Sequence, residues 1–305
     1  MKVLVATEKP FAQKAVDRIA KEIKEAGAEL VLLEKGTKQD LIKAVADVDG
    51  LIVRSDIVDI EVMDAAKSLK VVVRAGAGYD NIDLASATEK NICIMNTPGQ
   101  NSNAVAELVF GMLVMMARNQ YNGTSGFELK GKKLGIQAYG QVGRNVARIA
   151  KGFGMTVSAL DPFVKDEVLI AEGVTPVHDI KDLYAQNNVV SLHIPATPQT
   201  KKSINADLVK LMPEKGVLVN TARKEIIDED SLLEVLAERK DLKFISDIKP
   251  DAAEKFEEVA EGRVFFTPKK MGAQTAEANI NAGIAAAKQV LGFLKDGNDR
   301  FRVNK

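Results

Sequence analysis

The stretch from Lys133 to Asp161, KLGIQAYGQVGRNVARIAKGFGMTVSALD, limits the possible folds more than any other part of the chain. It reads as a strand, a glycine turn, a helix, and a second strand that ends on an acid. A turn of this kind at a helix N-terminus, with an acid about 20 residues further on, is the layout that holds a dinucleotide. Its position in mid-chain is where a nucleotide-binding domain inserted into another domain would begin.

Within the turn, Ala138-x-Gly140-x-x-Gly143 has alanine where a first glycine is expected. Gly140 would let the backbone approach a pyrophosphate, and Gly143 would let the helix lie close to the strands. Tyr139, Gly140, Gln141, Val142 and Gly143 are therefore the expected cofactor loop. Asp161 is placed to accept hydrogen bonds from the adenosine ribose and to repel a 2′-phosphate, so NAD is expected over NADP. A plain structural turn with a polar strand end is the alternative, and Arg144 and Lys165 are cations that could accommodate a phosphate.

The chain has 305 residues, enough for two domains, with 46% apolar and 28% charged side chains. Its 42 basic and 42 acidic residues cancel, leaving no global field to attract nucleic acid or an anionic membrane. Neither is expected as a partner. The single cysteine, Cys93, excludes an internal disulfide and fits a reducing cytoplasm. No run approaches the length of a membrane span, and the start resembles a first strand more than a signal peptide. The histidines, His178 and His193, are far apart, and no spaced acids announce a metal site.

Apolar runs alternate with helical patterns from the start: strands near 3–6, 30–33, 50–53, 70–74 and 92–95, and a helix near 11–26. Asn96-Thr97-Pro98-Gly99 is turn chemistry. The segment 103–119 reads as a helix apolar on most faces, hence a core helix or a subunit interface. Strands near 155–160, 188–192, 216–220, 243–246 and 264–266 follow, with helices near 142–152, 228–239 and 273–294. The expected class is α/β with two doubly wound parallel sheets. The last helix is long enough to return to the first domain.

Several residues stand where strand patterns end, on the side where ligands of such folds bind. Arg223 follows the strand through Asn220-Thr221-Ala222 and could clamp a carboxylate bidentately; a surface salt bridge is the bland alternative. His193 ends another strand. Lys269 and Lys270 sit in Thr267-Pro268-Lys269-Lys270-Met271-Gly272, where a lysine near Arg223 would be pushed toward easier deprotonation and could act as a general acid. Arg54-Ser55, Arg74-Ala75-Gly76 and Asn101-Ser102 offer guanidinium, hydroxyl and amide groups suited to a small anionic substrate, with ordinary turn capping as the alternative for each.

The segments 74–83 (RAGAGYDNID), 96–107, 140–144, 219–230 and 267–275 together resemble the D-isomer-specific 2-hydroxyacid dehydrogenases across nearly the whole chain. The resemblance implies a Rossmann-type NAD-binding domain, residues 98–284, inserted into a flavodoxin-like substrate domain of residues 1–97 and 285–305. It implies a homodimer through residues 103–130. Its nearest branch implies reversible, NAD-dependent oxidation of 3-phospho-D-glycerate to 3-phosphohydroxypyruvate, the entry to serine synthesis. The alternatives are an unphosphorylated 2-hydroxy acid as substrate, or an NAD-binding regulatory protein without turnover.

By the same resemblance Arg223 binds the substrate carboxylate and Asp247 holds the nicotinamide amide. Thr221, Ala222 and His193 line the cofactor, while Arg54, Ser55, Arg74, Ala75, Gly76, Asn101 and Ser102 receive the substrate. The family usually presents a histidine after Thr-Pro, paired with a glutamate; this chain has Lys269-Lys270. Counting back from Gly272 selects Lys270 as the proton donor, and counting forward from Pro268 selects Lys269. Glu254 is a candidate partner. Longer relatives carry a C-terminal serine-binding regulatory domain, and inhibition through such a domain is not expected here.

Overall fold

The computed structural model describes residues 1–304. Contacts divide the chain into two units: Met1–Asn101 with the segment from Gln274 onward, and Ser102–Ala273.

The first unit opens with β1 (Lys2–Thr7), α1 (Gln13–Glu25), β2 (Glu29–Glu34), α2 (Lys38–Ala44), β3 (Gly50–Val53), α3 (Ile60–Ala65), β4 (Val71–Arg74), α4 (Leu84–Glu89) and β5 (Cys93–Asn96). All five strands are parallel, in the order β2-β1-β3-β4-β5. That is the flavodoxin-like order. Period-two alternation explains the layers: Val3 and Val5 join one core beneath α1, while Leu4 and Ala6 join another beneath the remaining helices. Both faces are covered, so β3 is buried throughout its length.

The second unit contains α5 (Ser102–Ala117), β6 (Lys133–Gln137), α6 (Gln141–Gly152), β7 (Thr156–Leu160), α7 (Asp166–Ala171), β8 (Thr175–Pro176), α8 (Ile180–Ala185) and β9 (Val189–Leu192). It continues with α9 (Ala206–Val209), β10 (Val217–Asn220), α10 (Glu229–Glu238), β11 (Lys243–Ser246), α11 (Ala253–Val259) and β12 (Val264–Phe266). The sheet is again wholly parallel, in the order β12-β11-β10-β9-β6-β7-β8. The order reverses between β6 and β9, which is the Rossmann switch point.

A last helix, α12 (Ala276–Asp296), belongs to the first unit. Thr275 caps it through Ala278 N at 3.1 Å, and Gly297 ends it in the left-handed conformation. Gly283 lets it approach α1, because a Cβ there would lie 2.8 Å from Ile19 Cδ1. The units therefore divide at 101/102 and 273/274, in place of the sequence-based 97/98 and 284/285. The physical reason is that Ala278, Ala282 and Ala286 already lie on the buried face of one continuous helix.

Two local features stand out. After α5 the chain makes a left-handed turn in which Asn119, Gln120 and Tyr121 all have φ between 50 and 59°. Non-glycine residues rarely adopt this conformation, and here Lys243 pins it. The Lys243 ammonium donates to Met116 O at 3.0 Å and to Asn119 Oδ1 at 3.1 Å, and burial lowers its pKa. The second feature is a strip along the edge strand β5. Arg302 bridges antiparallel to Met95, and Val303 N donates to Ile94 O at 2.8 Å. Buried Asn304 accepts from Ile94 N at 2.8 Å and donates to Ile92 O at 2.9 Å.

Candidate active site

The glycine turn joins β6 to α6 at the switch point. Ala138, at the first-glycine position, has φ 77°, so the turn keeps the left-handed backbone that a glycine would adopt freely. Gly143 is needed for close packing: a Cβ there would sit 2.5 Å from Ala138 O and 3.1 Å from Ile136 Cγ2. At Gly140 a Cβ would meet nothing within 4 Å, and this residue caps α6 with no side-chain bond. Open space thus faces the unsatisfied amides of a helix N-terminus, which suits an anion such as a pyrophosphate. Gln141 is exposed and Val142 partly buried in the first turn of α6.

Tyr139 contributes only main chain to this face. Its ring is 1% exposed, its hydroxyl donates to Glu172 Oε2 at 2.9 Å, and the Arg144 guanidinium lies 5.0 Å above it. Arg144 also pairs with Glu172 and is thereby committed. Asp161, at the end of β7, accepts from Tyr139 N at 2.7 Å and from Phe163 N at 2.9 Å. These bonds fix the acid against the turn and leave lone pairs for ribose hydroxyls. Phe163, two residues later, is 94% exposed.

His193 follows β9. Its amide donates to Gln137 O at 2.9 Å and its Nε2 lies 2.9 Å from Ser191 Oγ. Although the residue is partly accessible, desolvation pushes the imidazole pKa down to about 3, so the ring is neutral near pH 7. His178 is exposed beside Asp166 at 3.1 Å, apart from this group.

At the end of β10, Asn220 shapes the turn that carries Arg223. Its Oδ1 accepts from Ala222 N at 2.9 Å, and its Nδ2 donates to Arg223 O at 2.9 Å. This brace was not evident in the sequence, because an asparagine near a strand end is ordinary turn chemistry. The Thr221 hydroxyl is buried without a hydrogen-bond partner, a group that a bound ligand would satisfy. Arg223 Nη1 donates to Ala222 O at 2.9 Å, and Lys270 Nζ donates to the same carbonyl at 3.1 Å. The two cations so share one acceptor, and Lys269 and Lys270 are both exposed. Asp247, after β11, is fully buried and accepts from Thr267 Oγ1, Met271 N and Gly272 N. Glu254 lies exposed in the first turn of α11.

The expected substrate residues in the first unit are placed as follows. Arg54 donates to Lys9 O and Pro10 O at 3.2 Å and to Asn279 Oδ1 at 2.8 Å, with its guanidinium 5.1 Å from the Phe11 ring centre. It braces the fold. Arg74 Nε donates to Arg54 O at 2.9 Å, and its guanidinium occupies the space where a side chain at Gly76 would project. Ala75 donates its amide to Val53 O at 2.8 Å, Ser55 is exposed, and Asn101 is partly so. Ser102 opens α5 in the second unit and is buried.

Among the described residues no group of His, Cys, Asp and Glu is arranged to hold a metal, and no helix is long and apolar enough to cross a membrane. The chain is 37% identical over 281 residues to D-3-phosphoglycerate dehydrogenase of Methanocaldococcus jannaschii. That match takes in 85% of this chain and 52% of the relative, so the chain spans about half of that protein. It is 35% identical to hydroxypyruvate reductase of Thermotoga maritima over 83% of this chain and 87% of the relative. The crystal structure of NAD+-bound 3-phosphoglycerate dehydrogenase from Entamoeba histolytica superposes with a TM-score of 0.88 at 46% identity, covering 100% of this chain and 99% of that one. Residues 104–268 match the D-isomer specific 2-hydroxyacid dehydrogenase, NAD binding domain. The chain therefore belongs to the D-isomer specific 2-hydroxyacid dehydrogenase family, and its seven-stranded unit is the NAD-binding domain of that family.

Proposed function

We propose that the chain catalyses the reversible, NAD-dependent oxidation of 3-phospho-D-glycerate to 3-phosphohydroxypyruvate, the reaction that leads into serine synthesis. The observation that carries this reading is the pair of cations on Ala222 O, Arg223 and Lys270, past the end of β10, one strand from the switch point. The names of the Methanocaldococcus and Entamoeba relatives support it.

NAD, when bound, takes the hydride in oxidation and NADH returns it in reduction. The α6 amides and Gly140 would hold its pyrophosphate, Asp161 its adenosine ribose, and the Thr221 hydroxyl, Ala222, His193 and Asp247 would line the nicotinamide half. Arg223 binds the substrate carboxylate and polarises the C2 oxygen. Lys270 gives a proton to that oxygen in reduction and takes it back in oxidation, the role that a histidine fills elsewhere in the family. Arg74, Ser55, Gly76, Asn101 and Ser102 are assigned to the remaining anionic groups of the substrate. Arg54 supports them, because its donors are already engaged.

The protein acts as a homodimer in the cytoplasm on this reading. The buried α5 residues Val109, Leu113 and Met116 belong to the core of the unit, so the dimer contact falls to the left-handed turn and the segment after it, with Tyr121 66% exposed. Sedimentation of the wild type and of Tyr121→Glu tests this part.

The deciding experiment follows NADH loss with 3-phosphohydroxypyruvate and with hydroxypyruvate. A preference of at least about tenfold in kcat/KM for the phosphorylated acid is expected, equal to about 1.4 kcal/mol. Preference for hydroxypyruvate favours the second reading, to which the Thermotoga relative and the engagement of Arg54 point. NADH binding with no turnover of either acid would leave the regulatory reading.

A further inference from the structure

Among the described residues Asp247 is the only acidic or basic residue in the buried class, at 0% exposure. Its carboxylate is spent on one short segment. Oδ1 accepts from Met271 N at 2.7 Å and from Thr267 Oγ1 at 3.1 Å, and Oδ2 accepts from Gly272 N at 2.8 Å. Lys269 and Lys270 lie between those anchors. Gly272 is held so closely that a Cβ would stand 2.9 Å from Oδ2 and 3.1 Å from Val105 Cγ2. Asp247 is fixed in turn by its own amide, which donates to Asn220 O at 2.9 Å, while Thr267 N donates to Ser246 O at 3.1 Å. Asn220 also shapes the turn bearing Arg223.

A buried carboxylate is costly unless its lone pairs are filled, and charge-assisted bonds to backbone amides fill them with strong directional preference. Such a carboxylate selects one conformation of the loop that binds it. Of the two lysines, that conformation carries Lys270 to Ala222 O, beside Arg223.

We propose that Asp247 is a positioning residue for the proton donor: it clasps the 267–272 segment and sets Lys270 against the carbonyl shared with Arg223. This goes beyond the contact with the nicotinamide amide expected from the family, and it rests on the reading of Lys270 as general acid. Lys270 does the chemistry, and Asp247 acts through it.

The test is a double-mutant cycle with Asp247→Asn, Thr267→Val and Lys270→Ala in the intact protein, measuring kcat, NADH affinity by fluorescence, and amide hydrogen exchange. Asp247→Asn should lower kcat, measured at saturating NADH, on the order of 100-fold, the scale of a misplacement near 1 Å. Thr267→Val, which removes one bond and keeps the side-chain shape, should lower kcat by about two- to fivefold, less than one kcal/mol. In the Lys270→Ala background neither change should reduce kcat further, because the group being positioned is gone. The amides of Met271 and Gly272 should lose exchange protection in Asp247→Asn and keep it in Lys270→Ala.

Losses that multiply with Lys270→Ala, together with a fall in NADH affinity, would overturn the proposal and assign Asp247 to the nicotinamide alone. Unchanged protection at 271 and 272 would overturn the clasp itself. Lys270→Ala at the wild-type rate would instead remove the general-acid reading, and the proposal with it.

Discussion

Replacing Ala138 by glycine should leave the protein as stable as before or stabilise it, although almost any other alanine-to-glycine change in this unit should weaken it. Ala138 has φ 77°, where an L-residue carries roughly 1–2 kcal/mol of steric cost that glycine does not. Glycine also frees the unfolded chain, which costs about 0.5–1 kcal/mol. The Ala138 methyl is only partly buried, so little packing is lost. The net is about 0–1 kcal/mol in favour of glycine, a rise of up to roughly 4 °C in the transition of the second unit. Ala147, inside α6 and 1% exposed, supplies the contrast. Its change to glycine loses about 1 kcal/mol of helix propensity and about 0.8 kcal/mol of methyl burial. Urea unfolding of both variants, with NADH present and absent, should therefore separate them by roughly 2–3 kcal/mol. If Ala138→Gly loses as much stability as Ala147→Gly, the backbone at 138 is not strained and the argument fails.

Gly143→Ala should destabilise the second unit by about 1–3 kcal/mol and weaken NADH binding, because its Cβ would press on Ala138 O at 2.5 Å; calorimetric titration reads both effects. Lys270→Ala should lower kcat by about 10²–10⁴-fold while Lys269→Ala stays near the wild type, and stopped-flow traces of NADH oxidation measure the difference. Asp241 takes a two-pronged bond from Arg239 at 2.8 Å and the Lys215 amide at 2.9 Å, which hold its pKa at about 2. Because the folded pKa lies below the unfolded one, this stabilisation is full above about pH 4 and vanishes as pH falls through about 2. At its full extent it is at most about 2 kcal/mol, given partial exposure, and Asp241→Asn should flatten the urea midpoint between pH 5 and 2.

The strands other than the two-residue β8, and the long helices, were legible in the chain because their signals are redundant. β3 is an unbroken apolar run, β9 is apolar but for Ser191 and β10 apolar up to Asn220, and all three are buried throughout. α6 carries a full 3.6-residue stripe through Val146, Ala147 and Ala150. The six-residue helices α3, α4, α7 and α8 went unseen, since fewer than two turns cannot show that period. Asp83 and Asp59 cap two of them through backbone amides, yet an aspartate before an apolar run reads equally as a turn. At the site, residue types at strand ends singled out Asp161, Arg223 and the lysine pair as candidates. They did not disclose that Arg54 would be absorbed by the carbonyls of Lys9 and Pro10, or that Glu172 would engage Arg144. Those outcomes depend on contacts between segments far apart in sequence, about which local pattern carries no information.

The strip formed by Arg302, Val303 and Asn304 has a consequence for self-association. β5 is the last strand of its sheet, and an uncovered last strand offers its unpaired amides and carbonyls to any extended chain that passes. The carboxamide of Asn304 stands in for a missing peptide group there, and a protease that clipped the backbone after Phe301 would remove that substitute. The cut would leave the amides and carbonyls of β5 unpaired, an adhesive seam on one edge of the sheet.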